Sequence, residues 1–229
     1  MSMKKVVVLS GAGMSAESGI RTFRDMGGLW EEYDVMEVAS PEGWRKDPEL
    51  VTKFYNDRRK QLETSKPNAG HIDLAKAEEK YDIHIITQNV DNLHERAGSS
   101  KVLHLHGELT KVRSTYDDSL VYDIGYKEIK IGDKCEKGYQ LRPDIVWFGE
   151  AVPAISEAAE ISSTAEVFII IGTSMNVYPA AGLINYVPRG VPIFVVDPNP
   201  IAVSSYPNIT FVKEPASTGV KKVFEMLEP

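Results

Sequence analysis

Gln88, Asn89, Asp91 and Asn92 crowd three amides and a carboxylate into five positions of the run Thr87-Gln-Asn-Val-Asp-Asn-Leu-His94. That composition suits hydrogen bonding to a polar ligand and is unsuited to a core. Leu103-His-Leu-His-Gly107 follows closely. Its two imidazoles, His104 and His106, have an unperturbed pKa of about 6.5, which suits proton transfer at neutral pH. Pattern alone does not separate them. Gly11, Gly13 and Ala16 in Ser10-Gly-Ala-Gly-Met-Ser-Ala16 fit the G-x-G-x-x-G/A spacing, in which small residues let backbone N–H groups and a helix N-terminus approach a pyrophosphate. Gly172-Thr173-Ser174 follows an apolar run, and Asp197 ends another, where its carboxylate can accept from ribose hydroxyls.

The elements that would position these groups alternate between strand and helix. Val6-Val-Val-Leu9, Ile83-His-Ile-Ile-Thr87, Val167-Phe-Ile-Ile-Ile171 and Ile193-Phe-Val-Val-Asp197 read as buried parallel strands. Each carries small or polar residues at its carboxyl end, the edge where open α/β sheets hold ligands. The spacing predicts helices over 47–64, 69–80 (capped by Asn68), 153–164 and 217–227, and a strand over 144–150 that stops at Gly149. Residues 109–141 lose the α/β rhythm and read as a small β-rich lobe. The polar, glycine-broken stretch 20–30 reads as a mobile loop over a ligand. An ordinary dehydrogenase would instead place a second strand ending in an acid about 20 residues after its glycine turn. On the 47–64 helix, Leu50, Val51, Phe54, Tyr55 and Leu62 form an apolar face that Arg58 shares. The plain reading of that pair is a packed Tyr55 and an Arg58 that snorkels to solvent.

The expected fold is therefore α/β: a Rossmann-like parallel sheet with helices on both faces, plus a small lobe formed by two insertions. Residues 1–25, 66–108 and 144–229 form the nucleotide-binding domain, 26–65 a helical insertion and 109–143 the β-rich lobe. The 229 residues, 42% hydrophobic and 26% charged, suffice for a large core. A net charge of −7 without a long basic run argues against nucleic-acid binding and leaves basic protein tails as partners. One cysteine, Cys135, forms no internal disulfide and no cysteine zinc cage. No stretch approaches the roughly 20 apolar residues of a membrane span. The expectation is a cytoplasmic monomer.

Gly11-Ala-Gly-Met-Ser-Ala-Glu-Ser-Gly-Ile-Arg-Thr-Phe-Arg24, Thr87-Gln-Asn-Val-Asp91, His106-Gly107, Val146-Trp-Phe-Gly-Glu150 and Gly172-Thr-Ser174 occur together here. In order and spacing they resemble the sirtuins, the NAD-dependent protein deacylases, over nearly the whole chain. The likeness is greatest to the bacterial and mitochondrial class that removes acidic acyl groups, whose mark is Tyr55-x-x-Arg58.

That resemblance implies roles. The backbone at Gly11, Ala12 and Gly13 would hold the NAD pyrophosphate, and Phe23 and Arg24 would close over the nicotinamide ribose. Asn89, beside Gln88, would contact that ribose, while Val90 and Asp91 grip the nicotinamide carboxamide. Gly172, Thr173 and Ser174 would face the phosphates and adenosine, Asp197 the ribose and Ala216 the adenine. His106 would be the general base, and Val146, Trp147, Phe148, Gly149 and Glu150 would add the substrate peptide as a strand. Tyr55 and Arg58 would meet the acyl carboxylate. The expected products are deacylated lysine, nicotinamide and 2'-O-acyl-ADP-ribose.

The sequence departs from the sirtuin pattern in the small lobe, where two cysteine pairs usually bind structural zinc. Ser114 stands where the first pair would begin, and only Cys135 survives, so zinc is not expected. The lobe would hold by packing of Val112, Leu120, Val121, Tyr122, Tyr126 and Tyr139. Two other readings share the NAD residues: an NAD glycohydrolase or ADP-ribosyltransferase, which needs neither the peptide strand nor Tyr55 and Arg58, and a non-catalytic NAD or ADP-ribose sensor, which needs no base.

Overall fold

A computed structural model describes residues 3–21, 33–199 and 208–228. The strands β1 (Lys5–Ser10), β2 (Asp82–Thr87), β3 (Val102–His104), β7 (Val167–Ile171), β8 (Ile193–Val196) and β9 (Ile209–Val212) form a six-stranded sheet in the order β3-β2-β1-β7-β8-β9. All its pairings are parallel. β1 shows why it is two-sided. Val6 and Val8 pack on one face with Leu74, Val220 and Val223, while Val7 and Leu9 pack on the other with Ala158, Leu183 and Ile184. A strand with apolar residues at every position must be covered on both faces. The helices α5 (Ala69–Ala77) and α8 (Ala216–Leu227) supply the first cover, and α7 (Ile155–Ser163) with the 3-10 turn Ala180–Tyr186 supplies the second.

The strand order reverses between β1 and β7, which opens a crevice outside the carboxyl ends of those strands. The short helix α1 (Gly13–Ala16) follows β1, and α6 (Leu93–Ala97) follows β2. Facing them across the crevice are α2 (Val35–Val38), α3 (Pro41–Lys46), α4 (Pro48–Thr64) and a second sheet, β5-β4-β6, built from β4 (Gly107–Ser114), β5 (Val121–Asp123) and β6 (Leu141–Ile145). Val38, Val51, Phe54, Tyr55, Leu109, Ile145 and Trp147 form one core between these pieces.

Several local expectations shift. The α4 helix starts at Pro48 because the Asp47 carboxylate caps it, accepting from Leu50 N at 2.9 Å. Asn68 caps α5 in a reciprocal box with His71, but the helix ends at Ala77 and not at Lys80; residues 78–81 turn into β2. The strand expected over 144–150 lies earlier, at Leu141–Ile145, and pairs antiparallel with β4. Residues 146–150 are a loop, because Gly149 takes φ +92° and Glu150 N turns back to the Trp147 carbonyl. In the lobe, Val112 is buried as expected, whereas Val121 and Tyr139 are exposed. Tyr139 stacks flat on Tyr116 at 4.1 Å instead of filling a core. Val121 opens the edge strand β5, and Tyr139 lies in the loop before β6, so neither is covered by the sheet.

Candidate active site

The ends of β1, β2, β7 and β8 open on one cleft of about 740 Å³. Gly11, Ala12, Gly13, Gln88, Asn89, Val90, Gly172, Thr173, Ser174, Asp197 and Ala216 line it from the large sheet. Tyr55, Arg58, His106 and residues 146–150 line it from the opposite side. Asp91 lines an adjoining smaller hollow with Ala12, Ser15 and Arg58. Phe23 and Arg24, with the loop expected over 20–30 from residue 22 onward, lie outside the described residues.

The glycines make the floor of this cleft out of backbone. A Cβ on Gly11 would lie 2.7 Å from the Thr173 Cβ, one on Gly13 2.7 Å from the Gly172 Cα, and one on Gly172, at φ +59°, 2.3 Å from Met14 N. Gly11 N donates to the Ile171 carbonyl and Gly13 N to that of Gly172. The spacing thus serves first to interlock the loops after β1 and β7. With those two amides engaged, the turn offers a pyrophosphate the amide of Ala12 and a surface free of side chains.

Beneath the floor lies a polar network that motif reading missed. Asn89 Nδ2 donates to Ser15 Oγ at 3.1 Å, and the Ser15 hydroxyl donates to Asp91 Oδ2 at 2.9 Å. His71 Nδ1 accepts from Asn68 N, so its proton sits on Nε2, which faces Ser15 Oγ at 3.5 Å. Burial drops the His71 pKa to about 4, so the ring is neutral. Burial raises the pKa of Asp91, and the Leu93 amide and the Ser15 hydroxyl offset that in part. Ser10 donates to Thr87 and meets His94 Nε2 at 3.1 Å. Asn89 and Asp91 stand out in the sequence, but nothing local marks Ser15 and His71 as their partners. Ser15 sits inside the glycine run, and His71 looks like one helix residue among others until the chain folds.

The two histidines of the Leu103–Gly107 run separate cleanly. His104 presents Nδ1 to the Asn89 carbonyl at 3.0 Å and Nε2 to Glu95 Oε1 at 2.7 Å. Burial opposes its charge, but the hydrogen bond and ion pair with Glu95 prevail and hold its pKa above the ordinary value. Both nitrogens therefore donate. His106 places only Nδ1 on an acceptor, the Gln88 carbonyl at 3.1 Å. Burial lowers its pKa, and the bond to Gln88 opposes that only in part, so the ring is neutral with its lone pair on Nε2. Of the two, His106 is the one that lines the cleft.

The Sir2 family profile matches residues 11–179. The chain belongs to the Sir2 family. It is 55% identical over 232 residues to an NAD-dependent protein deacylase of Bacteroides thetaiotaomicron, with 99% of each chain covered. An NAD-dependent protein deacylase of Helicobacter pylori is 57% identical over 196 residues, covering 86% of this chain and 85% of that one. A mutant Sir2 homologue in complex with ADP-ribose superposes with a TM-score of 0.89 at 39% identity, covering 99% of this chain and 94% of that chain. A Sir2 homologue in complex with NAD gives 0.87 at 39% identity, covering 99% and 92%.

On the other wall of this Sir2-family cleft, Tyr55 and Arg58 are both buried, at 4% and 7% exposure, so Arg58 does not snorkel to solvent. Its guanidinium lies 5.6 Å from the Phe54 ring centre, and burial lowers its pKa. Tyr55 Oη accepts from Trp147 Nε1 at 3.1 Å, and burial pushes its own pKa up to about 12. In the 146–150 run, Val146 N donates to the His106 carbonyl, Phe148 N to that of Ala39 and Trp147 N to Glu150 Oε2. The Glu150 carboxylate is further held by Arg142 at 2.7 and 2.9 Å. Glu150 thus shapes the loop, and its side chain is occupied within the Sir2 fold.

Where the Sir2 lobe departs from the sirtuin cysteine pattern, Ser114 Oγ accepts from Tyr116 N and Asp117 N at 3.2 and 3.3 Å, and Cys135 Sγ donates to it at 3.5 Å. Lys137 then pairs with Asp117 at 2.7 Å. These bonds close the turn between β4 and β5 onto the loop around Cys135.

Proposed function

We propose that this chain, an NAD-dependent protein deacylase of the Sir2 family, prefers acyl groups ending in a carboxylate, such as succinyl, malonyl and glutaryl, over acetyl. The observation that carries the acyl preference is Arg58, buried on the cleft wall one helical turn from Tyr55. A guanidinium presents a planar fork of donors that matches a carboxylate in two hydrogen bonds, and the Tyr55 hydroxyl can add a third. Acetyl-lysine brings no such group.

The cleft fits a dinucleotide. Its floor is backbone where any Cβ would collide, the Ala12 amide stands at the turn, and Asp197 brings a carboxylate to the β8 tip. NAD supplies an electrophilic ribose carbon with nicotinamide as its leaving group. The chain's own residues orient and move protons. The Asn89 side chain, tied through Nδ2 to Ser15, keeps Oδ1 to accept from a ribose hydroxyl. His106 Nε2, with its proton-bearing Nδ1 anchored on Gln88, takes a proton from a hydroxyl as general base. A substrate strand along 146–150 uses the carbonyls and the Gly149 amide, since the other amides there are engaged. Recognition through main chain makes for low sequence selectivity.

The proposal includes a cytoplasmic monomer acting on acylated lysine in proteins, without nucleic acid, membrane or zinc. No helix among the described residues is long and apolar enough to cross a membrane. A glycohydrolase would leave the buried Tyr55 and Arg58 without a task, and a sensor would leave His106 without one. The test is incubation with NAD and matched acetyl- and succinyl-lysine peptides, read by mass spectrometry. Loss of succinyl in excess of acetyl, with appearance of 2'-O-acyl-ADP-ribose, is expected. NAD cleavage with neither peptide altered would replace this reading with the glycohydrolase.

A further inference from the structure

We propose that Trp147 is the positioning residue for acyl choice: its indole N–H holds the Tyr55 hydroxyl as an acceptor, so that the hydroxyl's own proton is aimed at an acyl carboxylate. The inference rests on the acidic-acyl reading above and goes one step deeper, to what sets the donor in place.

A phenol O–H lies near the plane of its ring and can point to either side, whereas an indole N–H can only donate. Trp147 Nε1 occupies one side of Tyr55 Oη at 3.1 Å. The Tyr55 proton must then point to the other side. Both residues line the cleft, and both are buried. The indole itself has no freedom to swing. The Arg142 guanidinium lies 3.5 Å over the ring, and Trp44 packs 5.7 Å away. Arg142 is fixed by two bonds to Glu150, and Glu150 Oε2 accepts from Trp147 N at 2.8 Å. A clamp of Arg142, Glu150 and the Trp147 main chain therefore sets the direction of a hydroxyl on a different element, α4. Phenylalanine at 147 would fill most of the space but remove the N–H, leaving the Tyr55 hydroxyl to turn either way.

The experiment is a double-mutant cycle with Trp147→Phe and Tyr55→Phe, measuring kcat and KM on succinyl- and acetyl-lysine peptides at saturating NAD. Trp147→Phe is expected to lower the succinyl-to-acetyl ratio of kcat/KM by about 3- to 10-fold, the value of one neutral hydrogen bond, through KM for the succinyl peptide. In the Tyr55→Phe background the same substitution should leave that ratio unchanged. An unchanged ratio in the single variant, or equal further losses in both backgrounds, overturns the proposal. A wild-type enzyme with no succinyl preference, or Arg58→Met lowering both substrates alike, would instead remove the acyl reading beneath it. Should Trp147→Phe not fold, the wild-type indole N–H resonance of Trp147 is the readout. It should shift with a succinyl-lysine peptide and stay with an acetyl-lysine one, and the absence of that difference overturns the proposal.

Discussion

His106 Nδ1 lies 3.1 Å from the carbonyl oxygen of Gln88, and this contact fixes the tautomer of the ring. A carbonyl can only accept, so the proton is on Nδ1 and the lone pair is on Nε2. His104, two residues away, has both nitrogens on oxygens and nothing left with which to take a proton.

His106→Ala should lower deacylation by on the order of 10²- to 10⁴-fold while NAD binding, measured by calorimetry, persists. His104→Ala should act mainly on stability, since it removes the partner of Glu95 and of the Asn89 carbonyl. The acid limb of kcat/KM should lie below the ordinary histidine pKa, because burial lowers that of His106. A variant at 106 keeping more than a third of wild-type turnover would sink the assignment.

Arg58→Met should reduce succinyl-lysine removal relative to acetyl-lysine removal by about 1.5 to 3 kcal/mol in activation free energy, the range for a hydrogen bond to a charged group. Tyr55→Phe should act in the same direction more weakly. Parallel steady-state measurements on the two peptides decide it. Equal losses would mean that Arg58 only supports the fold.

Elemental analysis should find no stoichiometric zinc, and a chelator should leave the thermal midpoint unchanged. Ser114→Ala should destabilise by about 0.5 to 1.5 kcal/mol in urea unfolding, because the part-buried amides at 116 and 117 lose their acceptor. One tightly held zinc per chain would contradict this account of the lobe.

Stability should fall as pH drops from about 6.5 toward 4. His71 is held neutral by burial to about 4 in the folded chain but takes a proton near 6.5 once unfolded, so the unfolded state binds more protons across that window. The contribution is roughly 3 kcal/mol, present above the window and lost through it. His94, also depressed by burial, adds in the same sense. Urea midpoints measured against pH, for wild type and His71→Asn, test this; an unchanged slope in the variant would exclude His71 as its source.

Much of the nucleotide cleft was legible in the chain because each of its walls is a short contiguous run at a strand tip. Apolar repeats announce the strands, and the sheet's parallel order brings Gly11, Gln88, Gly172 and Asp197 to one edge without further information. The helix 47–64 and its Tyr55–Arg58 face were equally plain from helical spacing. What the tertiary structure alone decided are the properties that depend on partners far away in sequence. The glycine turn is shaped by the loop after β7, 160 residues on by way of the Gly11 to Ile171 bond. His106 is set apart from His104 by Gln88 and Glu95, and Arg58 is buried, not snorkelled, because Trp147 and the second sheet close over α4. Hydrogen-bond direction, tautomer and burial are set by whichever groups the fold delivers to within about 3 Å. Local pattern records which residues are present and the face they occupy, and it carries no record of those partners.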